Sequence, residues 1–339
     1  MTIQPFNQAI IDETKANLDQ LTKPLGSLGR LEELAVQLAG ITGEVSPVVE
    51  KPAIIVAAAD HGIVTEGVSA YPQEVTALMI DIFVRGKAAI NVFGRQIGAS
   101  VTVADVGVNA DMSGQPIAHH KIRFGTRNFL NEDAMTEDET LAAIAVGREL
   151  ALEQINKGHR LLITGEMGIG NTSASSALVA AITGADVGDV VGTGTGLDEE
   201  ARLKKIATIR EAIQNRGINK DTAPLTVLAK VGGLEIAALA GVILEGATQR
   251  VPVLVDGFIS SAAALVADEL DPAVRPYLMI AHESVEQGHK VLNEYLNIKP
   301  LLQLDLRLGE GTGAALAYPI VEAATKVLRE MATFKDLGL

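Results

Sequence analysis

The stretch that decides the fold of this chain is Arg160-Leu161-Leu162-Ile163-Thr164-Gly165-Glu166-Met167-Gly168-Ile169-Gly170-Asn171-Thr172. Its first five residues are mostly aliphatic and predict a short buried strand, and the glycines that follow predict a tight turn. Asn171 and Thr172 then open a stretch rich in alanine and serine, where a helix is expected. The order of strand, glycine-rich turn and helix is the repeating unit of a parallel α/β sheet.

The same alternation recurs along the chain. Short aliphatic runs predict five buried parallel strands, at residues 53–59, 100–104, 160–164, 252–255 and 301–304. Amphipathic or alanine-rich stretches predict the crossover helices, at residues 73–97, 137–157, 197–214 and 257–269. We therefore expect a doubly wound, mostly parallel, Rossmann-like α/β sheet. In such a sheet ligands bind beyond the carboxyl ends of the strands.

The two ends of the chain are predicted to be helical. Residues 1–40 read as two helices broken at Pro24-Leu25-Gly26-Ser27, and the periodicity near the C-terminus predicts another helix. We expect residues 1–40 and 314–339 to form a small helical subdomain beside an α/β catalytic domain at residues 41–313. No linker or internal repeat is visible, so one compact catalytic unit is expected.

The composition limits the class of protein. Of 339 residues 47% are hydrophobic, enough for a sizeable core, while 33 glycines and 3% aromatics indicate tight turns and aliphatic packing. The net charge of -14 disfavours binding to nucleic acid or anionic membranes. The absence of cysteine excludes disulfides and cysteine metal sites. With no apolar signal segment and no membrane-length apolar run, a cytoplasmic protein is expected.

Two glycine-rich stretches each set a lone carboxylate before a predicted helix. Residues 165–172 contain Glu166, and residues 308–313 contain Glu310. Glycine lets successive N–H groups turn toward one anion, and a helix N-terminus adds partial positive charge. Leucines upstream of Glu310 favour an apolar pocket that raises its pKa toward the range of a general base. Plain turn glycines and an acid at a helix start are the structural alternatives.

A third glycine cluster, Gly192-Thr193-Gly194-Thr195-Gly196-Leu197-Asp198, opens a helix that carries Lys204 and Lys205. Backbone donors together with a lysine indicate an anion site, although two lysines on one helix also suit a solvated face. Combined with the two carboxylates, the pattern predicts a substrate with an anionic end and a reactive centre some way from it.

Two of the remaining polar side chains could take part in chemistry. Asp60 and His61 follow the first predicted strand, where they could ligate a metal, act in acid–base chemistry or only cap the next segment. His282 and His289 stand in no metal-binding motif and are expected to be surface or capping residues with no ligand role. No metal site is predicted.

A candidate pocket for a flat heteroaromatic ligand follows the first strand. The segment offers a hydroxyl, an aromatic ring, a proline and an amide, which would give such a ligand apolar faces and polar edges. Its members are Ser69, Tyr71, Pro72 and Gln73.

Several long motifs occur in an order that resembles one family. They are TKPLGSLGRLEELA (22–35), ADHG (59–62), GVSAYPQEVT (67–76), GEMGIGNTSASSAL (165–178), GTGTGLD (192–198), GGLEIAALAG (232–241), DGFISSAAAL (256–265), AHES (281–284) and LDLRLGEGTGAAL (304–316). The chain resembles the nicotinate-nucleotide–dimethylbenzimidazole phosphoribosyltransferases over essentially its whole length. We see no departure at the motif positions compared.

The resemblance implies a reaction and a set of site residues. Nicotinate mononucleotide and 5,6-dimethylbenzimidazole would give α-ribazole 5′-phosphate, for the lower ligand of cobalamin, and nicotinate, with inversion at the anomeric carbon. Glu310 would be the general base and Glu166 a second active-site carboxylate. Leu308 would join the Ser69–Gln73 segment in the benzimidazole pocket, and Lys205 would contact the phosphate. The remaining nucleotide-binding residues implied are Gly165, Gly168, Gly170, Asn171, Thr172, Gly194 and Gly196.

The leaving base of this donor is already a cationic pyridinium, so the reaction is expected to need no metal or other cofactor. By analogy with glycosyl transfer, Glu166 could stabilise positive charge on the ribose in the transition state. The resemblance also implies a homodimer. Two other functions stay open at this point: a hydrolase in which Glu310 activates water, and a nucleotide-binding protein without turnover.

Overall fold

A computed structural model describes residues 2–194 and 196–338, so Thr195 of the third glycine cluster lies outside the described residues. The main sheet has six strands: β1 Pro52–Ala59, β2 Ser100–Gly107, β3 Ala118–His119, β4 Leu161–Met167, β5 Val253–Val255 and β6 Leu278–Ile280. Two further strands pair with each other in a second, small parallel sheet: β7 His282–Glu283 and β8 Leu302–Gln303.

The helices connect and cover these strands. They are α1 Gln8–Gln20, α2 Arg30–Thr42, α3 Val75–Val84, α4 Ala89–Gln96, α5 Glu137–Asn156, α6 Asn171–Thr183, α7 Val187–Val190, α8 Glu199–Asn215, α9 Pro224–Val231, α10 Leu234–Thr248, α11 Phe258–Leu270, α12 Gln287–Leu296 and α13 Thr312–Glu330. Short 3₁₀ turns occupy Gly62–Glu66, Pro272–Tyr277 and Phe334–Leu337. None of the described helices is both long and apolar enough to cross a membrane.

The main sheet confirms the predicted doubly wound fold. Its strand order is β3-β2-β1-β4-β5-β6, and every described pairing in it is parallel. The direction of winding reverses between β1 and β4, so the loops after these two strands diverge and leave a crevice. All eight residues of β1 are buried, as expected for a strand covered on both faces.

Several elements differ from the prediction. The stretch 73–97 forms two helices, α3 and α4, because Gly86 adopts φ 69° and the Asn91 side chain accepts the Ala88 N–H at the start of α4. The predicted strand at 301–304 is reduced to β8 and lies outside the main sheet. Strand β4 runs on to Met167, since residues that read as a loop pair with the end of β1.

The terminal helices pack on one another and on the sheet. Helices α1 and α13 both contact α2, and Leu21 forms a β-bridge with Thr333. Helix α13 also contacts β4 and β5, because its N-terminus begins at the carboxyl edge of the sheet. The division into a catalytic domain and a terminal helical subdomain therefore stays a prediction, since α13 serves both parts.

Candidate active site

The carboxyl edge of the sheet opens into a cleft at the predicted crevice. The cleft has a volume of about 240 Å³. Its wall is built from the ends of β4 and β5, the start of α3, the region of β7 and the segment before α13. The polar and aromatic residues of this wall include Tyr71, Glu166, Asn171, Thr172, Asp256, His282, Ser284, Glu286, Arg307 and Glu310.

Glu310 is held on a segment of left-handed backbone. Gly309, Glu310 and Gly311 have φ angles of 85°, 62° and 91°, so the chain turns sharply just before α13. The Glu310 carboxylate is 5% exposed and accepts the Ile90 N–H at 3.1 Å, in the first turn of α4. Burial raises its pKa above the ordinary value, and the nearby Asp256 charge adds to this, while the Ile90 hydrogen bond opposes it.

Glu166 lies at the end of β4, opposite Ala57 of β1. Its carboxylate is buried, accepts a hydrogen bond from the Asn171 amide and packs on Gly309, where a Cβ atom would overlap the carboxylate oxygen. Burial raises the pKa of Glu166 to about 8, and the Asp256 charge acts in the same direction. Glu166 is therefore mostly protonated in the free protein at neutral pH.

Asp256 directly follows β5 and was not singled out from the sequence. Its carboxylate accepts the Gly311 N–H at 3.1 Å and the Ala314 N–H at 2.9 Å. The Nε2 atom of His282 lies 3.6 Å from one of its oxygens. Burial raises the pKa of Asp256, whereas His282 and the backbone donors lower it.

Lys205 is buried beside the cleft and not on a solvated face. Its ammonium donates to the Thr172 hydroxyl at 2.8 Å, and a Cβ atom at Gly194 would lie 3.2 Å from its Nζ. Burial lowers the pKa of Lys205 to about 8, against an opposing effect of the Glu286 carboxylate. Burial raises the pKa of Glu286, whereas the charges of Lys205 and Arg307 and a hydrogen bond from the Gly194 backbone lower it. Lys204, its neighbour, is exposed.

The predicted aromatic pocket is assembled in part. Tyr71 and Leu308 line the cleft, and they are 53% and 57% exposed, as large apolar groups that contact a ligand would be. Gln73 instead donates to the His61 carbonyl at 3.1 Å and accepts from Asn109 at 2.8 Å. The predicted pocket residues that do not line this wall are Ser69, Pro72 and Gln73.

Two glycines of the first cluster allow close packing between strands and loops. A Cβ atom at Gly165 would overlap the Glu310 carbonyl oxygen, and one at Gly168 would overlap the Ala59 carbonyl oxygen. Gly170, with φ 99°, is the N-cap of α6. Of the predicted nucleotide-binding residues, the cleft wall includes Gly168, Asn171, Thr172 and Gly194, and it does not include Gly165, Gly170, Gly196 or Lys205.

Asp60 and His61 make internal contacts. Asp60 accepts the Asn109 N–H at 2.8 Å, and His61 Nε2 lies 2.7 Å from a Glu235 carboxylate oxygen, with both side chains of this second pair fully buried. Within residues 2–194 and 196–338, no group of three or more histidines and carboxylates is arranged to hold a metal ion. These contacts favour the structural interpretation of Asp60 and His61.

The prediction that His282 and His289 are surface residues is wrong. Both are buried, and His282 lines the cleft. His289 accepts the Ser284 N–H on Nδ1 at 2.8 Å and bonds the Ser261 hydroxyl through Nε2 at 3.0 Å. Burial lowers its pKa to about 3, so it stays neutral. The signal that could have shown this is position: AHES and DGFI both follow buried strands, as do the recognised polar clusters.

Comparison with known proteins defines the class first. A family model described as phosphoribosyltransferase matches residues 3–339, which is almost the whole chain.

Curated relatives identify the family within that class. A nicotinate-nucleotide–dimethylbenzimidazole phosphoribosyltransferase from Chloroflexus aggregans is 53% identical, and the match covers 99% of this chain and 96% of the relative. The enzyme of the same name from Geobacter sp. strain M21 is 51% identical, and the match covers 99% of this chain and 97% of the relative. The crystal structure of CobT from Thermus thermophilus superposes with a TM-score of 0.94 at 45% identity, covering 98% of this chain and 99% of that one. The chain belongs to the nicotinate-nucleotide–dimethylbenzimidazole phosphoribosyltransferase family.

Proposed function

We propose that this protein transfers the 5-phosphoribosyl group of nicotinate mononucleotide to 5,6-dimethylbenzimidazole, with inversion at the anomeric carbon. The products are α-ribazole 5′-phosphate, for the lower ligand of cobalamin, and nicotinate. The observation that carries the proposal is the buried Glu310 carboxylate, which lines the cleft from a left-handed turn. Relatives that share half of its residues over nearly their full length carry the same printed activity.

The reaction needs one bond formed, one broken and one proton removed. A benzimidazole nitrogen attacks the ribose C1′, and the bond from C1′ to the nicotinate nitrogen breaks with its electron pair going to that nitrogen. The pyridinium thereby becomes neutral, so no acid is needed for its departure. The N–H proton of the attacking base passes to Glu310, and the raised pKa of Glu310 strengthens it as a proton acceptor.

Glu166 has a different role in this scheme. Its pKa of about 8 keeps it largely protonated in the free protein, whereas a cationic pyridinium or an oxocarbenium-like ribose would favour its ionised form. We propose that Glu166 loses its proton when the cationic donor binds and then stabilises positive charge on the ribose. Asn171 holds the carboxylate in place throughout.

The phosphate is assigned to the part of the site around Lys205. Its ammonium, the Thr172 hydroxyl and the Gly194 backbone lie together there, at the N-terminal turn of α6. Tyr71 and Leu308 would cover the flat face of the benzimidazole. This arrangement gives the anion its own cationic partner apart from Glu166 and Glu310, although the Glu286 carboxylate would have to give up the Gly194 N–H to a bound phosphate.

One assay distinguishes this function from the alternatives. Purified protein is incubated with nicotinate mononucleotide, and nicotinate release is measured with and without dimethylbenzimidazole. The proposal expects release that depends on the added base, together with formation of the ribazole phosphate. Release without base would indicate a hydrolase, and binding without any release would indicate a nucleotide-binding protein.

We further propose that the enzyme is cytoplasmic and acts as a homodimer on these small molecules alone, without a cofactor. Light scattering after size-exclusion chromatography measures the assembly directly. A monomeric mass at assay concentrations would contradict the dimer.

A further inference from the structure

Asp256 contacts the segment that carries Glu310 at two points. One carboxylate oxygen accepts the Gly311 N–H at 3.1 Å and the other accepts the Ala314 N–H at 2.9 Å. Asp256 is only 1% exposed, so both hydrogen bonds form away from water. One side chain from the end of β5 thereby links the backbone just after Glu310 to the first turn of α13.

The segment needs such a support. Glu310 has a side chain yet adopts φ 62°, in a region that costs non-glycine residues about 1 kcal/mol or more. The N-cap of α13 is Gly311, which has no side chain to cap the helix. Asp256 supplies from another strand the carboxylate that an N-cap residue would ordinarily provide.

The position of Asp256 is itself fixed by its neighbours. Its own N–H donates to the Thr164 hydroxyl at 3.2 Å, which ties it to β4. The His282 ring packs against Gly313, where a Cβ atom would overlap the ring. His282 Nε2 also lies 3.6 Å from the Asp256 carboxylate. The carboxylate is therefore held between β4, β7 and the start of α13.

We propose that Asp256 is a positioning residue for Glu310: by holding the Gly311 and Ala314 amides, it keeps the Glu310 carboxylate on the Ile90 N–H and aimed into the cleft. The inference rests on the proposed function, in which Glu310 removes the proton of the attacking base. Asp256 itself is assigned no proton transfer in this scheme.

The pKa of Glu310 gives a readout that a purely structural role of Asp256 would not change. His282 faces Asp256 from β7, Glu166 from β4 and Glu310 from the segment before α13. The charge of Asp256 raises the pKa of Glu310, but the Ile90 hydrogen bond lowers that pKa more strongly. A Glu310 carboxylate released from Ile90 therefore has a higher pKa, and the acidic limb of the rate profile moves to higher pH.

The test compares Asp256→Asn with Asp268→Asn in the full-length protein. Asn keeps the volume of Asp256 but must turn its NH₂ toward one of the two backbone donors, so one hydrogen bond is lost. Asp268 is a buried aspartate paired with Arg275 near the far end of α11, which makes its variant a control for the loss of a buried carboxylate. The readouts are kcat, KM, melting temperature and the pH titration of the ¹⁵N-labelled Ile90 amide shift.

We expect Asp256→Asn to lower kcat by about 10- to 100-fold with KM for the nucleotide within about threefold. Its acidic limb should move to higher pH and the titration of the Ile90 amide shift should lose amplitude, whereas Asp268→Asn should change neither. A kcat near wild type, an Ile90 titration of wild-type amplitude, or a rise in KM alone would overturn the proposal. The Ile90 titration needs no turnover, so a wild-type enzyme without base-dependent nicotinate release would refute the proposed function and leave this test standing.

Discussion

The segments at residues 165–172 and 308–313 look alike in the sequence and differ in the folded protein. Each places a glutamate beside glycine before a helix. Glu166 belongs to the regular strand β4, whereas Glu310 stands alone in a left-handed turn. The same residue pattern therefore places one glutamate in a strand of the sheet and the other in a left-handed turn.

The glycines explain how the two segments fit together. Gly165 leaves room for the carbonyl oxygen of Glu310, and Gly309 leaves room for the carboxylate of Glu166. Each segment thus supplies the space that the glutamate of the other segment fills. The two motifs act as one interlocked unit, although they lie far apart in the chain.

The two carboxylates also differ in their hydrogen-bond donors. Glu166 accepts from the side-chain amide of Asn171, and its pKa reaches about 8. Glu310 accepts from the Ile90 N–H at the N-terminus of α4, where the helix dipole favours negative charge. These contacts fit the proposal that Glu310 is the base and that the ionisation of Glu166 depends on the ligand.

Glu310→Gln is the strongest test of the difference between the two glutamate segments. The amide keeps the size of the side chain but cannot take the proton, so kcat should fall by about 100-fold or more while nucleotide binding persists. Steady-state kinetics and calorimetry measure the two effects separately. Near-normal turnover with dimethylbenzimidazole would remove Glu310 from the role of base and with it the distinction between the two segments.

Filling the space that Gly309 leaves for the Glu166 carboxylate should destabilise the folded protein. In Gly309→Ala the new methyl group overlaps the Glu166 carboxylate, and the residue must hold φ 85°. We expect a loss of about 2–4 kcal/mol in the free energy of unfolding, from strain and steric overlap together. Urea denaturation measures it.

Gly184→Ala is the matched control for that experiment. Gly184 has φ 74° at the end of α6, with open space where its Cβ would be, so its substitution carries the backbone cost alone, about 1–2 kcal/mol. Equal losses in the two variants would show that Gly309 is needed only for its backbone angle.

The raised pKa of Glu166 predicts a pH-dependent gain in stability for Glu166→Gln. Below pH 4.5 the carboxyl is protonated in both the folded and the unfolded protein, so its burial carries no ionisation penalty. Between pH 4.5 and about 8 only the unfolded chain ionises, and the wild-type protein loses stability relative to the variant. The gain for the variant should approach about 3 kcal/mol at pH 7. Unfolding free energies that differ by the same amount at pH 5 and pH 8 would contradict this.

The fold could be predicted because it follows from local patterns. Strand β1 and the first three residues of β4 are aliphatic runs, and such runs occur where both faces of a parallel sheet are covered. The glycine-rich turns after them marked the edge where the cleft lies. Strands of two or three residues, such as β3 and β7, carry too little pattern to be recognised, because their pairing depends on distant partners.

Parts of the site depend on contacts that no local pattern shows. Asp256 matters through the amides of Gly311 and Ala314, which lie far along the chain from it. Lys205 cannot be told from a solvated lysine until Thr172 is placed against it. The predicted end of the strand at residue 164 is wrong because glycine is read as a turn, whereas Gly165 serves to admit a neighbouring backbone.

A further experiment tests Lys205 as the phosphate contact, separately from the role of Glu166. Lys205→Ala should raise the dissociation constant for nicotinate mononucleotide about tenfold, since a buried charged hydrogen bond to the phosphate is lost. The neighbouring Lys204→Ala removes an exposed lysine and should change it by less than about twofold. Because the pKa of Lys205 is lowered to about 8, wild-type affinity should also fall as the pH rises above 8. Equal effects of the two substitutions would place the phosphate elsewhere.

The smallest expected effect is that of chelation. Asp60 and His61 are engaged by Asn109 and Glu235, and the cationic leaving group needs no Lewis acid. Turnover should therefore be unchanged in excess EDTA and after Mg²⁺, Mn²⁺ or Zn²⁺ is added back. If chelation abolished activity and one ion restored it, the metal-free mechanism would be overturned, and Asp60 and His61 would become the candidate ligands together with a third group.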